Sequence, residues 1–235
     1  MNAGRLYLIP TLIDPDAPEV VPGYVHTITA QLDLFFVEQE RTARRYLRAT
    51  GYTRDFAEVD LVRLDKDSTD MEIDAMCRLI LEGRDAGMLS EAGVPCIADP
   101  GAVLVASAHE RGIKVIPLTG PSSLFLALMA SGLEGQRFSF HGYLPVQQQE
   151  RRKAIKELEQ RAQREKATQL FIETPYRNQA MFNDLLQTCA PDTLLCVAIG
   201  ISGPSEMIRT QSIQSWKQSH FAPEKIPAVY LLGRR

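Results

Sequence analysis

Cysteine is scarce in this sequence and nowhere paired by spacing: Cys77, Cys96, Cys189 and Cys196 are the only four, and none forms a CxxC. The histidines, His26, His109, His141 and His220, are scattered, so no zinc-ligand pattern is present and no metal is expected. Neither GxGxxG nor GxxxxGKS/T occurs, which removes sequence support for dinucleotide dehydrogenase and P-loop chemistry. No charge dominates: 26 Lys and Arg face 29 Asp and Glu, a net charge of −3. No global basic field draws the chain to nucleic acid or a membrane, so any anion site must be a local patch. Long apolar runs are missing. MNAGRLYLIPTLIDPD is too weakly apolar for a signal peptide, and the run from Leu124 to Ala130 cannot span a bilayer. The cysteines therefore read as reduced thiols of a cytoplasmic protein.

What is present is an ordinary globular composition, 45% hydrophobic and 23% charged over 235 residues, long enough to bury a core without disulfides. Arg5 to Ile9 and Leu34 to Glu38 read as strands, and ERTARRYLRATG as a helix stopping at Gly51. Thr69 and Glu72 have capping-box spacing and open a helix to Leu81. Two strand–loop–helix units follow: Gly87 to Ser90 with EAGVPCIADPG and a helix from Ala102, then KVIPL with TGPSS and LFLALMASG. That order predicts parallel strands with crossovers and ligand binding beyond the carboxyl ends of the strands. After Pro145 come a charged helix (Gln147 to Lys166), strands at Gln169 to Glu173, Thr193 to Ile199 and Ala228 to Leu232, and a helix at Asn178 to Thr188. The expectation is an α/β protein of two α/β domains, residues 1–118 and 119–235, with a cleft between them.

The loop Glu91 to Gly101 offers backbone amides and one fixed carboxylate, Asp99, to a polar small molecule; a long turn with a structural Asp satisfies the same residues. In TGPSS, Pro121 suits a first helical turn and Ser122 or Ser123 can meet the orphan amides there. Arg41, Arg44, Arg45 and Arg48 fall at i, i+3, i+4 and i+7, one helical face. Four like charges in a stripe fit a phosphate-rich partner, or a solvated face. The Gln147–Lys166 helix holds seven basic residues against four Glu, the mix of an exposed helix face. In FIETPYR, Glu173 and Arg177 can pair at a strand end.

LSEAGVPCIADPG, GIKVIPLTGPSS and RFSFHGYLP together resemble the tetrapyrrole methylase superfamily, and within it the ribosomal RNA small-subunit methyltransferase I family of ribose 2'-O-methyltransferases. Ser90, Ala92, Gly93, Pro95, Asp99, Pro100 and Gly101 keep the family's S-D-A-G-T-P-x-x-x-D-P-G pattern. Pro117 to Pro121 match its P-x-P-G-P loop, Leu8 to Thr11 its strand with P-T, Val37 to Arg41 its A-E-D-T-R segment, and Glu173 to Arg177 its E-S-x-x-R segment. The resemblance implies S-adenosylmethionine in the cleft, a homodimer and ribosomal RNA as partner, with no membrane. It implies cofactor contacts from Pro10, Glu91, Gly93, Asp99, Ser122, Ser123, Phe171, Gly200, Pro227 and Ala228. It assigns acceptor chemistry to Glu38 and Arg41, and substrate binding to Arg44, Arg45, Arg48, Glu173 and Arg177. The departures are Asp14-Pro15, Gln39, Glu91 and Tyr176, mostly in segments expected to face substrate. Methylation of a tetrapyrrole or another small molecule, and a non-catalytic cofactor-binding module, are the alternatives.

Overall fold

β1 (Arg5–Ile9), β2 (Leu34–Val37), β3 (Asp60–Arg63), β4 (Ala86–Leu89) and β5 (Lys114–Pro117) form a five-stranded sheet in the order β3-β2-β4-β1-β5. Every pairing in it is parallel. The computed structural model describes residues 3–223 and 225–234. The chain divides into two units, residues 1–122 and 123–235.

In the first unit β2 and β4 are buried at every position, as a parallel sheet covered on both faces requires. Side chains alternate between the two faces. Tyr7, Ile9, Phe35 and Val37 meet Val25 of α1 (Gly23–Thr29) and Ala43, Tyr46 and Leu47 of α2 (Glu40–Ala49). Leu6, Leu34, Phe36 and Met88 meet Ile73, Met76 and Ile80 of α3 (Asp70–Leu81) and Leu104 and Ala108 of α4 (Ala102–Glu110). Thr69 and Glu72 form the expected capping box on α3. β3 has no strand signal in the sequence because DLVR is an edge strand with charged ends and only half-buried Leu61 and Val62.

In the second unit α5 (Ser123–Ser131) precedes β6 (Phe138–Tyr143), α6 (Gln148–Glu165), β7 (Thr168–Glu173), α7 (Asn178–Thr188), β8 (Leu194–Ile199), β9 (Met207–Ser212), α8 (Ile213–Gln218) and β10 (Ala228–Gly233). The sheet order is β6-β7-β10-β8-β9. Only β6 and β7 run parallel; the other three pairings are antiparallel. Ile155 and Leu158 of α6, Met181, Phe182 and Leu185 of α7 and Trp216 of α8 enclose Phe171 and Tyr230 in one core. The α6–α7 contact is fastened by Asp184, which accepts from Arg151 at 2.5 and 2.8 Å and from Arg152 at 2.7 Å.

Candidate active site

Strand order places the candidate site of the first unit. β4 lies between β1 and β2, yet its helix α4 covers the face opposite α1 and α2. Chains leaving neighbouring strands toward opposite faces open a crevice at their carboxyl ends. The loops after β1, β2, β4 and β5 meet this edge.

Hydrogen bonds join those loops. Thr11 N–H donates to the Gly93 carbonyl at 2.7 Å, the Ser90 hydroxyl donates to the same carbonyl at 2.9 Å, and the Thr11 and Ser90 hydroxyls lie 3.2 Å apart. Tyr46 Oη donates to the Pro10 carbonyl at 2.7 Å, tying α2 to the β1 loop. Thr119 N–H donates to Tyr24 Oη at 2.7 Å, tying the β5 loop to α1. None of Thr11, Tyr24 and Tyr46 stood out as a site residue in the sequence. Tyr46 reads as part of an apolar face, and its hydroxyl gains a role only when β1 is brought against α2.

Gly120 is packed so tightly on Pro10 that an added Cβ would lie 2.2 Å from the Pro10 Cβ. That Pro10 Cβ and the Pro10 Cγ, which would lie 2.3 Å away, are ring atoms with no rotamer to yield. Gly120→Ala is therefore expected to separate the β1 and β5 loops and to cost roughly 1–3 kcal/mol, the range for an overpacked site. Thermal unfolding measures this, and an unchanged midpoint would remove the packing argument.

Three carboxyl groups meet at the same edge. Burial pushes Asp99 up to about 6, and the charges of Glu38 and Glu91 add to that shift, against a hydrogen bond from the Glu91 backbone. Asp99 Oδ2 is buried with no hydrogen-bond partner among the described residues. Burial also raises Glu91; the Thr42 hydroxyl and the Gln39 amide, at the start of α2, pull it back down, and Glu38 opposes them. The longer Glu91 in place of Asp thus leans toward the N-terminus of α2, where a negative charge is favoured. Before Asp99 the backbone is left-handed at two non-glycine residues, Cys96 (φ +67°) and Ala98 (φ +62°). Side chains rarely adopt that region, and such strain clusters at functional loops.

The arginine stripe of α2 is exposed, but its members differ. Arg48 donates to the Tyr52 carbonyl at 2.6 Å and stands 4.3 Å over the Phe56 ring. Arg44 pairs with Glu40 at 3.0 Å and also faces Phe56. Arg41 and Arg45 have no such partner among the described residues.

In the second unit the register places the start of β10 between two strand ends: Ala228 pairs with Glu173 of β7 and with Ile199 of β8. Glu173, Gly200, Pro227 and Ala228 therefore share one sheet edge. Phe171 is fully buried and stacks on Tyr230 with centroids 5.6 Å apart, so its side chain is part of the core and only its backbone is open to a ligand role. Glu173 is also buried; it accepts from Thr174 N–H at 2.8 Å and pairs with Arg177 at 2.9 Å. Arg177 in turn donates to the Leu144 carbonyl at 2.8 Å, so this pair braces the β6 and β7 loops. Ser123 opens α5. Among the departures, Tyr176 is 90% exposed, Gln39 is the residue preceding α2, and Asp14 accepts from Asp16 N–H in a local turn. Among the described residues no His, Cys, Asp and Glu group could hold a metal ion, and no helix is long and apolar enough to cross a membrane.

No protein-family model matches this chain. It is 43% identical over 107 residues to the ribosomal RNA small subunit methyltransferase I of Halalkalibacterium halodurans, covering 46% of this chain and 36% of that protein. It is 29% identical over 222 residues to the protein of the same name from Escherichia coli O157:H7, covering 94% of this chain and 70% of the relative. Thus the match spans about a third of the first relative's length and more than two thirds of the second's. Among solved structures, the methyltransferase CobJ superposes with a TM-score of 0.63 at 16% identity, over 99% of this chain and 95% of that one. A uroporphyrin-III C-methyltransferase from Thermus thermophilus, complexed with S-adenyl homocysteine, gives 0.54 at 16% identity over 98% and 97%. The chain has the fold of the tetrapyrrole methylases, and its sequence relatives are ribosomal RNA small subunit methyltransferase I proteins.

Proposed function

We propose that this chain is an S-adenosylmethionine-dependent methyltransferase that acts on ribosomal RNA, with a ribose 2'-oxygen as the methylated atom. The observation that carries the reading is the Ser90–Gly101 loop, stitched to the β1 loop and holding a buried Asp99 oxygen without a donor. An ammonium group and ribose hydroxyls are donors, so the residues present fit such a cofactor. When bound, the cofactor supplies a methyl carbon activated by a sulfonium.

Asp99 and Glu91 accept from donor groups, while Pro10, Gly93 and Ser122 present small or backbone surface. On the second unit the candidates are Ser123, Gly200, Pro227, Ala228 and the Phe171 backbone. Glu38 orients the acceptor hydroxyl or receives its proton. Arg41 and Arg45, without internal partners, hold phosphate oxygens; Arg44 and Arg48 add positive field from beside Phe56. Glu173 and Arg177 brace the loop that meets substrate. The chain's main contribution is alignment of the reacting atoms. The proposed assembly is a homodimer.

The test is methyl transfer from methyl-labelled S-adenosylmethionine to unmodified small ribosomal subunits. Label in 2'-O-methyl nucleosides is the expected result. Absence of label, with cofactor binding confirmed in the same preparation, would overturn the RNA reading in favour of a small-molecule acceptor or a binding module. Arg41→Ala should lower turnover by ~10–100-fold through misplaced substrate, with cofactor affinity within about twofold of the parent. Equal turnover would remove Arg41 from the site.

A further inference from the structure

A second candidate site lies wholly within the second unit, lined by α6, His141 of β6 and Leu144 just after β6. It is a pocket of about 530 Å³, within the ~300–1,000 Å³ typical of small-molecule sites. Leu144, Ala154 and Leu158 supply its apolar lining, and His141, Gln160, Arg161 and Arg164 its polar and basic lining. Glu157 adds one carboxylate.

Three features set it apart from a random surface hollow. First, the β6–β7 register slips here: Phe140 pairs with Leu170 and Tyr143 with Ile172, so His141 and Gly142 oppose Phe171 alone. Gly142 takes φ +63°, a conformation that favours glycine, and the bulge re-aims His141. Secondly, His141 is backed by a built hydrogen-bond chain. Gln169 is fully buried, and its Nε2 donates to the Ala167 carbonyl at 2.9 Å. Its Oε1 is therefore the acceptor 2.8 Å from His141 Nε2, which fixes the imidazole proton on Nε2 and leaves Nδ1 as the other ring nitrogen.

Thirdly, the four arginines of α6 fall into two classes. Arg151 and Arg152 are consumed by the buried Asp184. Among the described residues, Arg164 and Arg161 share only the exposed Glu165, at 2.7 and 3.8 Å. Surface pairs of that kind contribute little and exchange readily for a phosphate.

An apolar lining, a Gln amide, a carboxylate and two guanidinium groups suit the three chemistries of a nucleotide. We propose that this pocket holds one nucleotide, its base against Leu144, Ala154 and Leu158 and its phosphate on Arg161 and Arg164. The source is a nucleotide of a single-stranded RNA segment, splayed from its neighbours as single-stranded readers require. That choice of source rests on the RNA reading of the function; the pocket's chemistry does not.

The test uses the full chain with a short fluorescein-labelled single-stranded RNA, and separately with free cytidine 5'-monophosphate. The variants are R161A/R164A and, as control, K153A on the same helix away from the pocket, each checked by circular dichroism. The expected result is that R161A/R164A binds the labelled RNA at least ~10-fold more weakly, as loss of two phosphate contacts implies, while K153A matches the parent. The nucleotide, but not inorganic phosphate, should displace the RNA. Binding of the free nucleotide alone, lost in R161A/R164A, supports the pocket and overturns RNA as its source. Equal RNA binding by R161A/R164A and the parent, or no binding of either probe, overturns the proposal. Methyl transfer is scored independently on the same preparations. Failure there with R161A/R164A still impaired in binding would reject the RNA-methylation reading and leave the pocket standing.

Discussion

Asp99→Asn should weaken S-adenosylmethionine binding by more than ~10-fold, because a hydrogen bond to a charged acceptor is worth roughly 1.5–3 kcal/mol. The same substitution should make the free protein more stable at pH 8. Asp99 is half-buried beside Glu38 and Glu91, with one buried oxygen lacking a partner, and its carboxyl is pushed up to about 6. A carboxyl whose folded value lies above its unfolded value makes the ionised folded state less stable. The cost is full above about pH 6, shrinks as pH falls through the folded value, and vanishes below the ordinary carboxylate range. Asn removes the charge and keeps the shape. After allowance for partial solvent screening the expected gain at pH 8 is about 1–2 kcal/mol. At about 2–4 °C per kcal/mol, thermal melts resolve it, and the gap between variant and parent should close near pH 4. Calorimetric titration gives the affinity. A lower melting temperature at pH 8 would mean that the Asp99 charge is compensated in the free protein. Unchanged affinity would take Asp99 out of the cofactor site.

Asp184→Ala should be the most destabilising single change, by ~3–5 kcal/mol, the range for breaking a buried ion pair from one side. Asp184 is 1% exposed and Arg151 is 5% exposed, so removal of the acid strands a buried guanidinium. Burial alone would push the Asp184 carboxyl up; hydrogen bonds from Arg152, Arg151 and Gln148 outweigh it and hold the group below the usual range. The readout is local. The single tryptophan, Trp216, is buried in the core of the second unit and donates to the Leu195 carbonyl at 2.9 Å. Its fluorescence during urea unfolding reports this unit, and the midpoint should fall with little change in slope. A loss under ~1 kcal/mol would show that the arginines relax to solvent without cost.

The two effects have opposite signs for one physical reason. Asp184 is a buried acid with its donors supplied by the fold, whereas Asp99 is a half-buried acid with one buried oxygen left without a donor. The first pattern is architecture. The second gives up stability, a pattern common at functional sites.

Much of the first unit was legible in the sequence. Apolar runs bounded by Pro and Gly marked β1, β2, β4 and β5, and the Thr69–Glu72 spacing marked the start of α3. These signals are local: burial on both faces forces a continuous apolar run, and a cap must stand beside the amides it satisfies. The loops EAGVPCIADPG and TGPSS were legible for the same reason, since rigid turns need Gly and Pro at fixed positions. The second sheet was less legible. β6, β9 and α8 carry half-buried, polar or short sequences, and the antiparallel pairing around β10 depends on partners far away in the chain.

Which residues meet was decided by tertiary structure alone. Glu38, Glu91 and Asp99 come from two loops, and Glu38 and Glu91 raise the proton affinity of Asp99 only because β2 and β4 are neighbours. Arg48 and Arg41 look alike on a helical wheel, yet one is engaged by Tyr52 and Phe56 and the other is not. Likewise Arg151 and Arg161 share a helix, but only Arg151 faces Asp184. Sequence determines local conformation and the types of group available, because backbone sterics and burial act over a few residues. The partner of each charge, and so its role, is set by strand order and helix packing, which join residues that the chain keeps far apart.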